Sequence, residues 1–521
     1  LLLSGCAKKK TTLRRIALTP TNVLLSDPAA EWMKLGVPVV LQQDLLPTRF
    51  TAPLLAASET NLAETGAQDI LRTKIDDHQG KLHIEATVVD VATQKTTSTE
   101  EEEASSTATL IPALDKLAKR LDSDAENFST RNTDALKALA AAAEQRDAQK
   151  RRELLQSAIS TDPNFGLGYF LLLEMTARLG PNVSKPILDE AQSHRAAFTP
   201  YDRARLNLVS LQLSRAPIGL RTAAAEALLK VAPNDIDGLS VVSGIRFLNG
   251  DVNGAVEAIN RAIDLNPGNP NLKGQLAEGL VQSKRFADAE KVLVKFEKSP
   301  GALAELAIVI LLEGDVNRAN QTAERFFTSV PNPDYQVLLR ASWTALAGDR
   351  AKAIDMAENG KFTNVGIHGL ALSEATVWRL MNKDVAGAKK TADLAAQLDN
   401  HPSAIGTVSG LLVSGNEPPE DWRKKVDAAP LNPTMKQPIL AYGFFLNGHY
   451  NEAIAEWRKV LYASEGSDLR ARAMLAASLN RAGRGAEARD IKVQPFLMRE
   501  FADIYGAVVF QEMRQMTGLS H

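Results

Sequence analysis

One spacing restricts the possible folds of this chain more than any other feature. Glycine, or lysine in its place, recurs at Gly250, Lys284, Gly314, Gly348, Lys383, Gly448 and Gly483, with several intervals of 34 or 35 residues. An alanine stands five positions after each of them, at Ala255, Ala289, Ala319, Ala353, Ala388, Ala453 and Ala488. A unit of this length cannot bury its own apolar face, so copies must stack and share a continuous core. In the clearest copy Gly250 permits a tight reversal between two helices. Ala255 and Ala262 allow close helix approach, Ile259 fills the gap between them, and Pro267 stops the second helix.

The segment from Gly250 to Pro267 resembles the second half of the tetratricopeptide repeat almost position by position. Similar runs follow Gly314 and Gly448, with Phe326 and Trp457 at the larger core positions. The fold class implied is mostly α, a tetratricopeptide-like α-α superhelix (solenoid), and about ten helix pairs are expected over 129–494. Residues 165–235 and 402–432 read as degenerate units, and 495–521 as an amphipathic helix capping the array. Composition agrees: aromatic residues make up only 5% of 521, while 45% are hydrophobic and 23% charged, which suits small-residue helix packing.

Residues 13–128 read differently, as a small α/β domain ahead of the repeats. A strand is expected over 13–19, a helix over 29–46 interrupted at Pro38, and a short strand near 49–55. The apolar positions of that helix are taken as Trp32, Leu35, Val39 and Leu46. Leu82, Ile84, Ala86 and Val88 alternate with His83, Glu85 and Thr87, the period of two that buries one face of a strand, in a β-hairpin with Gly80 at its turn. Ile16-Ala17-Leu18-Thr19-Pro20, Gly66-Ala67-Gln68-Asp69-Ile70-Leu71 and Val89-Asp90-Val91-Ala92-Thr93 together resemble the amino-terminal domain of TolB and related domains that precede bacterial repeat arrays. Glu100 to Glu103 is expected to be a solvated loop, because adjacent side chains on an extended segment alternate in direction and cannot converge on one ion. His78 and His83 flank the hairpin turn without another His or Cys nearby, so no metal site is expected there.

The sequence opens Leu1-Leu2-Leu3-Ser4-Gly5-Cys6. Leu3-Ser4-Gly5-Cys6 resembles the lipobox that ends a bacterial lipoprotein signal peptide, which implies that residues 1–6 carry the processing site and that Cys6 is diacylated. Two acyl chains anchor far more firmly than one. Ala7 after the cysteine implies, by the same resemblance, the outer membrane, with 7–12 as a tether and the rest of the chain facing the periplasm. Cys6 is the single cysteine, which excludes an intrachain disulfide and a multi-cysteine metal centre. No run of 18 apolar residues occurs, so the sequence contains no transmembrane helix.

Catalytic signatures are missing. There is no phosphate-cradling Gly-x-x-x-x-Gly-Lys-Ser/Thr, no Gly-x-Ser-x-Gly and no His-Glu-x-x-His. A net charge of −2 gives no basic field for nucleic acid. The expectation is therefore a non-enzymatic, lipid-anchored envelope scaffold, without cofactor, that binds a protein or peptide along the first helices of its repeats. Candidate contacts are Phe247, Glu278, Ile308, Leu311, Tyr335 and Leu338, beside Ser240, Gly244 and Ser342. These side chains are largely apolar or small, which argues against the Lys/Asn/Arg carboxylate clamp of the repeat family and leaves packing between repeats as the competing role. The alternatives are a structural subunit of an envelope assembly or export complex, and an enzyme with a site between the two domains.

Overall fold

The computed structural model describes residues 13–58, 65–179, 181–214, 216–297, 299–398, 404–464, 468–498 and 500–519. Cys6 and the tether lie outside them. The chain is mostly helical and divides into two compact units, 1–273 and 274–521, so the division falls within the repeats.

The first unit opens with a mixed sheet. Its strands are β1 (Arg14–Leu18), β2 (Asn22–Val23), β3 (Thr51–Leu55), β4 (Asp69–His78), β5 (Lys81–Asp90) and β6 (Thr96–Ala104), in the order β3-β1-β4-β5-β6, with β2 also on β4. β1 runs parallel to β3 and β4, whereas β4, β5 and β6 are antiparallel. Ile16, Leu18, Ile75, Ile84, Ala86 and Val88 share a core with the helices Met33–Leu45 and Leu110–Leu121. Leu136, Leu139, Ala158 and Phe165 from the first repeat helices belong to the same core, which continues across the boundary expected at 128.

Three sequence expectations change here. The Met33–Leu45 helix runs through Pro38 without a break. Proline cannot donate to the carbonyl of Lys34, but the backbone N–H of Thr21 does so instead at 2.9 Å. Its deepest residues are Met33, Val37, Val40, Leu41 and Leu45, while Trp32, Leu35, Val39 and Leu46 are half-buried. Glu100 to Glu103 is not a loop but the second half of β6, registered against β5 from Ala86 to His83. Glu102 turns toward the core side and is held by Arg120 at 2.5 Å and Lys116 at 3.5 Å, so its charge is compensated.

The rest of the first unit comprises helix pairs from Thr133 to Leu265. In the second unit, pairs run from Pro300–Glu313 with Val316–Ser329 to Leu469–Arg481 with Gly485–Asp490. All seven phased turn residues have positive φ, from +58° at Lys284 to +107° at Gly348. This is the left-handed conformation that favours glycine. After four of these turns an aspartate caps the next helix: Asp251, Asp315, Asp349 and Asp384 each accept a backbone N–H. Ala255, Ala289, Ala319, Ala353, Ala388 and Ala453 are fully buried, whereas Ala488, on the short last helix of the repeats, is half-buried.

Candidate functional site

Stacking brings the first helices of successive pairs into contact with one another: Gly166–Thr176 on Pro200–Leu213 in the first unit, and Pro333–Leu346 on Val365–Met381 and then on Ala404–Val413 in the second. The face made by these first helices differs between the two units.

In the first unit this face carries a cleft of about 250 Å³. Phe170, Leu173, Leu208, Val209, Leu213 and Val241 form its apolar wall. Glu174, Arg205, Gln212 and Asp237 are the polar residues of the lining, and Arg205 is its cation. Its guanidinium carbon lies 3.3 Å from the Phe170 ring centroid, Nη1 donates to the Tyr201 hydroxyl at 3.0 Å, and Nη2 donates to Asp237 at 2.9 Å. Tyr201 in turn donates to Asp235 at 2.6 Å, the residue that caps the helix Ile236–Leu248. A cation fixed in this way over an aromatic wall can take an acceptor from a ligand whose apolar side chain fills the cleft.

In the second unit the corresponding face is covered by the chain's own C-terminal segment. The capping helix expected over 495–521 is confined to Gly506–Thr517, and it contacts Pro333–Leu346, Val365–Met381 and Leu469–Arg481. It therefore lies along the first helices and does more than close the end of the stack. Phe501 sits against Phe326, Phe327 and Trp343 at centroid distances of 5.6, 6.2 and 5.2 Å. Tyr505 stacks on Tyr442 at 3.9 Å. Polar contacts set the register: Arg470 pairs with Asp503, Arg481 with Glu512 at 2.9 Å, Arg350 donates to Gln511 at 2.8 Å, and the Lys284 ammonium donates to the Thr517 carbonyl at 2.8 Å, where a helix end presents unpaired acceptors. Burial pushes the Glu512 carboxyl up, against the pull of Arg481. Below the segment, burial drives Glu374 well above the carboxylate range; the Ser342 hydroxyl, 2.6 Å away, opposes the rise and Asp503 adds to it.

These positions correct the residue-level expectation. Phe247, Ile308, Leu311 and Leu338 are 4% exposed or less and pack in the interior, the competing role set against binding above. Apolar residues on a first helix serve helix packing before they serve any ligand, and periodicity alone cannot separate the two. Glu278 is half-buried and accepts from Gln282 at 3.1 Å. Tyr335 alone among the six keeps substantial exposure, 38%. Arg205 was missed because an arginine inside a degenerate unit has no phased signature; the adjacent Tyr201 and the Asp235/Asp237 pair were the available signal.

Residues 246–295 match the model of a tetratricopeptide repeat family. The chain contains tetratricopeptide-like repeats. Similar solved structures include one of Naa15/Naa10 bound to HypK-THB, 14% identical over 70% of this chain and 63% of that one, with a TM-score of 0.26. A human IFIT1 dimer with PPP-AAAA is 13% identical over 68% of this chain and 88% of that one, at 0.27. The human IFIT1 dimer with m7Gppp-AAAA is 12% identical over 70% and 90%, at 0.28. This chain thus spans less than two thirds of the first of these. No protein of curated function matches it.

Proposed function

We propose that this protein is a non-enzymatic scaffold of the bacterial cell envelope, anchored to the outer membrane through lipid on Cys6 and facing the periplasm, which binds a protein or peptide partner on the first-helix face of its repeats. The observation that carries the binding reading is the occupied face of the second unit. There an amphipathic helix and the aromatic residues before it are held by aromatic contacts and by arginines, the helix-in-groove mode of peptide recognition. The cleft around Arg205 offers the same chemistry with no segment of the described residues in it, and supports an external peptide with an apolar anchor and an acceptor group. Aromatic and arginine anchors of this kind carry most of the energy in interfaces.

Gln212 stands exposed at the rim of the cleft. A photo-crosslinking residue at this position is expected to trap one discrete partner in cells, and Arg205→Ala is expected to weaken capture by roughly thirtyfold, the equivalent of about 2 kcal/mol. Capture that is unchanged by Arg205→Ala would place binding elsewhere. The anchor has a separate test. With a complete signal peptide in front, Cys6→Ala is expected to move the protein from the membrane to the soluble periplasmic fraction, and continued membrane retention would refute lipidation at Cys6.

A further inference from the structure

The β4–β5 hairpin carries a group of side chains that neither the sheet core nor the repeats use. Asp76 lies directly opposite His83 in the antiparallel register, and His78 is two residues further along β4, on the same face. That face points away from the core, since Ile75 and Ile84 on the alternate positions are fully buried. Asp76 Oδ1 lies 3.0 Å from His83 Nδ1 and 3.5 Å from His78 Nε2, and one ligand atom from each residue falls within 4.8 Å of the others.

We propose that Asp76, His78 and His83 form a binding site for a divalent transition-metal ion of the zinc class. Zinc bonds of about 2.0–2.1 Å in a tetrahedron place neighbouring ligand atoms about 3.3 Å apart; the two edges to Asp76, 3.0 and 3.5 Å, bracket this value, and the third edge, between the two imidazoles, lies within 4.8 Å. Two imidazoles and one carboxylate are a donor set suited to zinc and its neighbours. The fourth position faces solvent, as in sites that keep a water ligand.

The surrounding charges fit the same reading. His83 presents Nδ1 to the site, and its other nitrogen, Nε2, lies 3.6 Å from Glu101 Oε2. A carboxylate at this distance raises the basicity of the imidazole electrostatically, and it would fix the tautomer on closing to hydrogen-bond distance. Lys74 binds Asp76 through Oδ2 at 2.6 Å, so Oδ1, which shares a hydrogen bond with His83 Nδ1, is the oxygen the ion would take in exchange for that bond, while Lys81 is engaged by Glu103 at 2.7 Å. The two imidazole rings stack at 4.2 Å, so coordination requires His78 to turn its Nε2 lone pair toward the ion. Its side chain is 52% exposed, which leaves it room to turn. Sequence reasoning set this site aside because it counted only His and Cys; the sheet adds Asp76 as a ligand and Glu101 behind His83.

The test is calorimetric titration of the full chain, free of any polyhistidine tag and stripped with chelator, with Zn²⁺ at pH 7.5. The expected result is one ion per chain in the parent, with affinity lowered tenfold to a hundredfold or more in both His83→Ala and Asp76→Asn. Glu101→Gln is expected to weaken binding without abolishing it. Titration with Co²⁺ is expected to give the visible absorption of a low-symmetry N/O site in the parent and not in His83→Ala. Unchanged circular dichroism in each variant separates loss of the site from loss of the fold. Absence of stoichiometric Zn²⁺ binding in the parent, or equal affinity in parent and His83→Ala, would overturn the proposal.

Discussion

Phe501→Ala is expected to destabilise the second unit by about 3–5 kcal/mol, the usual cost of emptying a buried aromatic site. Phe501 is 3% exposed, and its ring meets Phe326, Phe327 and Trp343. Those neighbours belong to two helices that also pack in the array, so they cannot collapse freely into the void, and the loss lies toward the upper end of that range. Trp343, Trp378, Trp422 and Trp457 are four of the five tryptophans and all lie in the second unit, so urea unfolding followed by tryptophan fluorescence reports chiefly on this unit. A shift of under 1 kcal/mol would mean that the segment is not docked through Phe501. Because the segment is covalently attached, a synthetic peptide of residues 495–519 is expected to bind a chain truncated before 495 and to raise its stability in proportion to peptide concentration.

Asp202→Asn is expected to act in the opposite direction, and only above acidic pH. Asp202 is 7% exposed, and its Oδ2 atom has no hydrogen-bond partner among the described residues. Burial pushes its carboxyl from the ordinary 3.8 up to about 6, against the pull of Thr199 and Arg205. A carboxyl raised in the folded state binds its proton more tightly there than in the unfolded chain. Its folded state is therefore least penalised below about pH 4, loses stability as the pH rises through about 4 to 6, and carries the full penalty above that. The difference corresponds to an upper limit of about 3 kcal/mol at pH 7.5. Asparagine removes the charge, so the helix Pro200–Leu213 is expected to be better protected in the variant at pH 7.5, by about 1–3 kcal/mol, and no better at pH 4. Amide exchange of that helix, corrected for intrinsic rate, measures both. Equal protection at pH 7.5 would show that the carboxylate is solvated.

Much of the architecture could be read locally. The hairpin at Gly80 and the alternation from Leu82 to Val88 follow from short-range rules, since a strand's period and a turn's φ involve neighbouring residues. The Met33–Leu45 helix shows where such rules stop. Its continuation past Pro38 depends on Thr21, which lies outside the helix. Its buried face could not be chosen from the sequence because the helix is apolar on most sides, and the sheet decides which side is covered. Glu100 to Glu103 reads as solvated because adjacent carboxylates on an extended segment alternate in direction and cannot share one ion; that reading lacks the partner strand, since pairing with β5 on one side and the cations Lys116 and Arg120 against Glu102 make the segment part of the sheet.

The repeat period was determined by sequence alone, down to the residues at positive φ and the buried alanines, because turn geometry and close helix contact are specified within each 34-residue unit. Which part of the first-helix face remains free was decided only by tertiary structure. Phe501 meets Phe326 and Trp343 from more than 150 residues away, Lys284 reaches the Thr517 carbonyl across 233 positions, and Arg205 is framed by residues of three helices. No local period encodes such pairings. They form because the stacked helices present apolar and cationic groups on one face, and burying a complementary segment there is more favourable than leaving that face to water.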